Sequence, residues 1–431
     1  MPQAENKTQK GKLTLWSKGG IDAPFAIIVM VLLAVGLVMM YSASYTYSFY
    51  DRGDSSAMIK NQLMFAVIGV AGMYFASKLN YKIIKLFAPL ILIGTIGLLG
   101  LVLVLPEYKP GFHRWINLGF TTFQPSEIAK FALIIFCAWG MEKHHSVILG
   151  RSRLKSNWAK KLSHSDIGRV MTGSFGITLF YAFIVILVAG LVFLENHMSG
   201  TILMLGIGAV MLYLGGFNRW YFIIAGVGVA IAVIYMLINK QRIIDSYENG
   251  TITNPILKAY MSERIVAWLD KDFDPLGARW QTDNSIYAIG SGGFWGVGLG
   301  NSKQKHMYVS EPQNDFIFSI VVEELGFIGA AIILVLFGLL IWRGVVIGIK
   351  AKDRFGSLLA MGIVFQVGLQ VVLNVAVVSD FIPNTGISLP FFSYGGTSLD
   401  MLLFEMGVVL SISRQANVEK IQSKKTAVKS K

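Results

Sequence analysis

The sequence predicts an all-α polytopic membrane protein of about ten transmembrane helices, with a large extracytoplasmic loop between the seventh and eighth. Three observations predict it. Of 431 residues, 54% are hydrophobic and only 15% charged, far from the balance of a soluble domain. Several apolar stretches, among them 25–40 with its small polar extensions, 87–105, 175–194 and 220–238, approach or reach the roughly 18 to 20 residues that cross a bilayer. Lys and Arg collect on alternate loops, which is the pattern of a chain that threads a membrane repeatedly.

The spans follow in order. The first, about 24–44, comes after a polar, Lys-bearing stretch (1–21) that lacks the charged start, short apolar core and small-residue site of a cleavable leader. That span is therefore expected to act as the insertion signal. The second and third cover 59–78 and 87–105. The fourth, 126–142, carries Glu127 and Lys130 inside it. The fifth (174–195) and sixth (199–217) meet in a turn holding Glu195 and His197, and the seventh covers 220–238. After the loop 239–315 come the eighth (316–343, with Glu323 and Glu324), the ninth (357–379) and the tenth (399–413). The membrane domain is thus 22–414, between a polar tail at 1–21 and a basic tail at 415–431, and both tails are expected to be unstructured.

Charge sets the expected orientation. With the N-terminus inside, the inner segments hold 25 Lys and Arg, whereas the short outer loops hold Arg52, Lys60, Lys109 and Arg114, with Lys130 at a helix start. Both termini are then cytoplasmic. The net charge of +13 reads as an orientation signal and an attraction to anionic headgroups, not as a nucleic-acid footprint. The single cysteine, Cys137, lies in an apolar run, which excludes an internal disulfide and argues against a redox or cysteine-metal site.

Two outer segments break the short-loop pattern, 106–125 and 239–315, and loops of that length in a compact protein are functional or disordered. The second is rich in aromatic and aliphatic residues. "RIVAWLDKDFDPLGARW" and "SIYAIGSGGFWGVGLG" predict short amphipathic pieces at the membrane surface. The Gly-dense "GSGGFWGVGLGN" does not fit a dinucleotide fingerprint and has no βαβ context, so its glycines point to tight turns and close backbone packing.

Ionisable groups at membrane depth are costly and mark candidate sites: Glu127, Lys130, Glu195, His197, Asp315, Glu323, Glu324, Asp380, Asp400 and Glu405. Asp315 sits at the outer interface, and Glu324 lies about 13 Å deeper at the helical rise. Glu323 and Glu324 point about 100° apart, so they need different partners, one of them a cation such as Lys130. Asp315 has two readings, a helix N-cap or a proton acceptor for a hydroxyl presented at the outer surface. The cations Arg114, Lys130, Lys303 and Lys305 suit a phosphate or diphosphate at headgroup level. "ISLPFFSYGGTS" (387–398) predicts non-helical backbone lining a cavity. The residues alone leave two classes open, an enzyme acting on a lipid-linked substrate outside the membrane and a transporter of such a lipid.

The motifs "GFHRWINLG…FQPSEIAKF", "DPLG", "AIGSGGFWGVGLGNSKQK", "EPQNDFIFSIVVEELGFIGA" and "PNTGISLPFFSYGGTSL" resemble the SEDS family (shape, elongation, division and sporulation), with its FtsW, RodA and SpoVE branches, over residues 22–415. The resemblance implies a peptidoglycan glycosyltransferase that polymerises lipid II beside a class B penicillin-binding protein. It implies Asp315 as the catalytic base and undecaprenyl diphosphate as the leaving group. The expected substrate-binding residues are Arg114, Trp115, Gln124, Lys130, Gln304, Lys305, Glu311, Ser393 and Gly395. No cofactor is implied; a divalent cation sharing the countercharge stays open, without a clustered ligand set to mark it. The chain departs from the family at "ENHMSGT", usually like "QPDLGT", at "ARWQ" for "GYQ", and at "SEPQND" for "PExxTD". The long "WLDKDFDP" favours the division or sporulation branch over elongation. The rival functions are a lipid II flippase and a related lipid-linked oligosaccharide ligase.

Overall fold

The computed structural model describes residues 15–17, 19–106, 113–117, 119, 122–148, 175–249, 259–274 and 276–429, with side chains in the last helix described to Asn417. Lys109, residues 1–14 of the polar tail and 149–174 of the basic inner loop lie outside the described residues. All ten expected spans are helices. Among the described residues nine are long and apolar enough to cross a membrane: α1 (Ala23–Arg52), α2 (Ala57–Lys78), α3 (Tyr81–Val104), α6 (Phe175–Leu194), α7 (Met198–Gly215), α8 (Arg219–Ile238), α12 (Ile317–Ile349), α13 (Arg354–Val378) and α14 (Gly396–Lys429). The tenth is α4 (Pro125–Lys143), set apart by Glu127, Lys130 and Glu142. It is preceded by a two-strand antiparallel hairpin, β1 (Ile116–Asn117) and β2 (Thr122–Phe123), and followed by the single turn α5 (His145–Ile148).

Helix ends follow local sequence. Asp22 accepts from Phe25 N and opens α1; Asn80, Asn218 and Asp353 cap α3, α8 and α13 in the same way, each satisfying a first-turn amide. Asp22 also takes two hydrogen bonds of 2.8 Å from Arg343, joining the start of α1 to the far end of α12. The last helix outruns its expected span. From 408 to 431 the chain contains neither Gly nor Pro, and its Ala, Gln, Glu and Lys favour helix, so α14 continues to Lys429 where an unstructured tail was expected.

The centre of the bundle is α4. Every residue from Ala129 to Ala138 is buried, against α3, α7 and α13. Around it α2 lies along α14, and α12 lies between α1 and α13. In lipid, apolar burial gives no net drive for this association, which rests on close packing and internal hydrogen bonds. The exposed Val67, Leu90, Val104, Ile224 and Ile238 belong to the surface that faces acyl chains. Helix α8 buries no residue at all.

The described residues of the large loop contain three helices, α9 (Lys240–Glu248), α10 (Ala259–Leu269) and α11 (Trp280–Gly292); α10 and α11 overlap the two amphipathic pieces read from the sequence, and α9 was not expected. It is docked by two arginines. Arg279, buried, donates to Ala267 O at 2.7 Å, Asp283 Oδ1 at 2.7 Å and Asp380 Oδ2 at 3.0 Å. Arg264 donates to Asn384 O at 2.5 Å. Both grip the segment that connects α13 to α14.

Helix α12 is interrupted. Gly326 adopts φ 70°, ψ −173°, a left-handed value that Gly tolerates. Into the gap fits the glycine-rich turn after α11: Val297 N and Gly298 N donate to Glu323 O and Glu324 O, while Phe327 N and Ile328 N donate to Gly293 O and Phe294 O. A Cβ on Gly326 would meet Gly296 N at 2.3 Å. The glycines pack backbone on backbone, as their density suggested.

Below the break, the paired acids are fully committed. Glu324 accepts from Lys305 Nζ at 2.9 Å and from Ser42 Oγ at 2.7 Å. Glu323 accepts from Ser302 Oγ at 2.5 Å and Lys303 N at 2.9 Å. The expected pairing of one of these acids with Lys130 is therefore corrected. The turn folds back along α12 and delivers Lys305 locally, whereas Lys130 takes Glu127 from its own helix, at 2.7 Å and three residues' spacing.

Candidate functional site

Asp315 precedes α12. The N-cap position belongs to Phe316, whose side chain makes no capping bond, so Asp315 does not occupy the capping position. Its main chain is held unusually firmly. Three successive carbonyls each accept a hydrogen bond from a side chain or amide behind them: Gln313 O from Tyr394 N at 2.8 Å, Asn314 O from Ser393 Oγ at 2.9 Å, and Asp315 O from Asn374 Nδ2 at 2.8 Å. Asn374, fully buried on α13, also donates to Ile387 O at 2.6 Å. One amide thus binds the turn that carries Asp315 to the segment that carries Gly386.

The carboxylate lies against that second segment. A Cβ on Gly386 would come 2.7 Å from Asp315 Oδ2 and 3.9 Å from Arg264 Nη1. Gly386 has φ +73°, so both space and backbone require glycine there. Arg264, brought by α10 of the large loop, is a guanidinium beside the carboxylate that sequence reading did not assign.

Gly386 also faces a polar crevice lined by Ser126, Glu127, Lys130, His197, Ser199, Gln370 and Ser388. A second crevice shares Glu127, Lys130, Gln370 and Ser388 and adds Gln366, Ser393 and Glu405. Gln366 Nε2 donates to Glu405 Oε2 at 3.0 Å, while Glu405 Oε1 is buried with no hydrogen-bond partner among the described residues. Gln366, Gln370 and Asn374 recur at four-residue spacing, one stripe of amides on an otherwise apolar helix. That spacing was visible in the sequence and would have located the inward face of α13.

The hairpin before α4 brings a further cation. Arg114 Nη2 donates to Asn196 O, and its guanidinium carbon stands 5.9 Å from the Trp115 ring centre, within cation–π range. Gln124 Nε2 bonds Ser126 Oγ at 3.0 Å. In the adjacent turn Glu195 is fully buried, and burial pushes its carboxyl up to about 8, an effect that Arg114 partly offsets. Burial first, then Arg114 and Lys130, hold His197 well below the usual imidazole range.

Of the expected residues, Lys130 lines both crevices and Ser393 one of them; Asp315 stands behind the lining at Gly386 and Gln124 behind it at Ser126, with Arg114 and Trp115 leading into the hairpin. Ser393 holds the turn that carries Asp315, through Asn314 O. Gly395 N is held by Gln62 Oε1 at 3.2 Å. Three expected binding residues are elsewhere. Lys305 is buried against Glu324, Ser42 and Gly300 O and lines neither crevice, which corrects its assignment to a diphosphate. Gln304 lies beside Glu323, and Glu311 accepts from Asn314 Nδ2 at 2.7 Å; neither lines a crevice. Among the described residues no group of three or more His, Cys, Asp or Glu side chains is arranged to hold a metal ion.

Comparison with known proteins gives concordant results. The family described as "Cell cycle protein", comprising FtsW, RodA and SpoVE, matches residues 23–418. Stage V sporulation protein E of Bacillus subtilis (strain 168) is 36% identical over 395 residues, 91% of this chain and 97% of that protein. A probable peptidoglycan glycosyltransferase FtsW of Geobacter sp. (strain M18) is 36% identical over 397 residues, covering 91% of this chain and 97% of the relative. A solved structure described as "Structural coordination of polymerization and crosslinking by a peptidoglycan synthase complex" aligns with TM-score 0.68 at 25% identity, over 92% of this chain and 98% of that one. The rod shape determining protein RodA of Thermus thermophilus shares the fold, with TM-score 0.60 at 22% identity over 92% of this chain and 97% of the other.

Proposed function

We propose, from the premise that this chain belongs to the FtsW–RodA–SpoVE family of cell cycle proteins, that it is a multi-pass bacterial membrane enzyme, a peptidoglycan glycosyltransferase that polymerises lipid II at the outer face of the cytoplasmic membrane. The two relatives reported at 36% identity are a sporulation protein and a probable peptidoglycan glycosyltransferase FtsW, which supports the division or sporulation branch. The observation that carries the mechanism is the carboxylate of Asp315, clamped through its backbone and set beside Gly386, at the edge of a crevice containing Lys130.

The chemistry is a glycosyl transfer without a nucleotide. Asp315 takes the proton from the 4-hydroxyl of one lipid-linked disaccharide. The freed oxygen attacks the anomeric carbon of the other chain's lipid-linked sugar, a carbon–oxygen bond forms, and the bond to undecaprenyl diphosphate breaks with its electron pair leaving on the diphosphate. Attack from the side opposite the leaving group turns an α linkage into β. Lys130 and Arg114 supply positive charge as the diphosphate departs, and such groups act most strongly in a water-poor cleft. Both termini lie in the cytoplasm in this reading, which the positive-inside pattern of the loops supports. The partner is a class B penicillin-binding protein, a reading supported by the structural likeness to a chain of a peptidoglycan synthase complex.

Purified protein in detergent, given lipid II, tests the reading. Wild type forms glycan strands and Asp315→Asn forms none while melting at the same temperature. A carrier that moves the lipid across a membrane would form no strands with either protein. Unimpaired polymerisation by Asp315→Asn would refute the assigned base.

A further inference from the structure

His197 occupies the N-cap position of α7, and its ring is part of the crevice wall that also holds Ser126, Lys130 and Ser199. The ring is fixed in place. Nδ1 lies 3.4 Å from both Gln124 Nε2 and Ser126 Oγ, either of which can donate to it. Gly200 provides its room: a Cβ there would stand 2.6 Å from Nδ1 and 2.8 Å from Cε1. Both hydrogen bonds found for the ring are at Nδ1, not at Nε2. With Nδ1 accepting, the imidazole proton sits on Nε2. Burial and the neighbouring Arg114 and Lys130 keep the ring neutral near physiological pH, so it is a donor without being another cation.

The surroundings select the ligand. The same crevice is lined by Lys130, whose ammonium is shared with Glu127 at 2.7 Å, and by the start of α7 with the positive end of its dipole. Gly386, also in the lining, lies against the Asp315 carboxylate. Donors along the lining, with a carboxylate behind Gly386, fit an oxyanion whose reacting end is turned toward that carboxylate.

We infer that His197 is a substrate-orienting residue whose Nε2–H donates to a phosphate oxygen of the lipid-linked diphosphate, turning the anomeric carbon toward Asp315. The inference deepens the glycosyltransferase reading and rests on it.

Product inhibition in the detergent polymerisation assay reads this directly, with undecaprenyl diphosphate, undecaprenol and inorganic diphosphate as three separate probes. Loss of one hydrogen bond to a charged oxygen raises the undecaprenyl diphosphate concentration for half-inhibition about tenfold in His197→Ala. Inhibition by undecaprenol is unchanged, and His197→Gln, which retains an N–H, recovers part of the loss. Gly200→Ala keeps the imidazole but displaces it, and shifts inhibition in the same direction. A parallel shift with inorganic diphosphate assigns the contact to the phosphates alone, and a shift confined to the lipid-linked probe assigns it to the lipid-anchored pose. Both results support the contact. If His197→Ala melts below wild type, His197→Gln and Gly200→Ala decide by the same measurement. Unchanged half-inhibition in a folded variant overturns the inference. Should wild type itself form no strands, the polymerase reading falls separately, and titration of undecaprenyl diphosphate into wild type and variant decides: equal affinities overturn the His197 contact and a tenfold loss upholds it.

Discussion

Asp315 and Gly386 form the most sensitive residue pair in the molecule. A methyl group on Gly386 would lie 2.7 Å from Asp315 Oδ2, so Gly386→Ala must displace the carboxylate, the segment that carries Gly386 or both. Misplacement of a reacting group by about 1 Å costs on the order of a hundredfold in rate, and that is the drop expected in lipid II polymerisation, with lipid II binding largely kept. Glu195 makes a different prediction. Its carboxyl is raised from an ordinary 4.5 to about 8, so the native state retains a proton that the unfolded chain gives up. Stability is then fully present below the ordinary value, falls as pH rises toward about 8, and is level above it. Glu195→Gln escapes that loss. The gap between its melting temperature and that of wild type should widen across this range; a constant gap would show that Glu195 is not held neutral. Asp315 and Lys130 were legible in the sequence because a charge in an apolar run is conspicuous. Arg264 and Gly386 were not, because only the docking of the large loop and the return of the 380–390 segment bring them to the carboxylate.

Among the elements, α12 shows how much periodicity can conceal. Hydropathy gave one continuous span, and one of the adjacent Glu323 and Glu324 was expected to pair with a cation such as Lys130. The break at Gly326 lets the preceding glycine turn insert and bring Ser302 and Lys305 to those acids. Neither the break nor the turn follows from any local window, since each exists only against the other. Removing one partner of a buried ion pair costs about 3–5 kcal/mol, while replacing both with apolar groups is often neutral. Lys305→Met and Glu324→Leu should each lower the melting temperature in detergent, and the double variant should recover most of the loss. Additive losses would show that the pair contributes no coupling. Conversely, α10 and α11 were readable in outline, because their apolar residues were too many for a disordered loop.

At the scale of the whole molecule, composition and charge bias sufficed for the architecture: ten spans were expected at positions that all proved helical, and the likeness to RodA spans 92% of this chain. Boundaries were less legible where helices pass beyond the hydrocarbon, as at the ends of α1, α12 and α14, because apolarity marks the bilayer and not the helix. Orientation is testable cleanly, since the single cysteine, Cys137, is buried. In intact cells an impermeant maleimide should label Tyr50→Cys, at the exposed end of α1, and should leave Lys352→Cys, between α12 and α13, unlabelled until the membrane is opened. The reverse pattern would invert the topology.

The double grip of Asn374 restricts how such a machine can breathe. Because a single side-chain nitrogen tethers both the turn that carries Asp315 and the segment that carries Gly386, any tilt of α13 carries the two along together. Widening of the crevice is then expected on the side that Asn374 does not hold, where the hairpin and the α6–α7 turn meet α4, and a pull on the 380–390 segment through Arg264 and Arg279 would move the pair as one body.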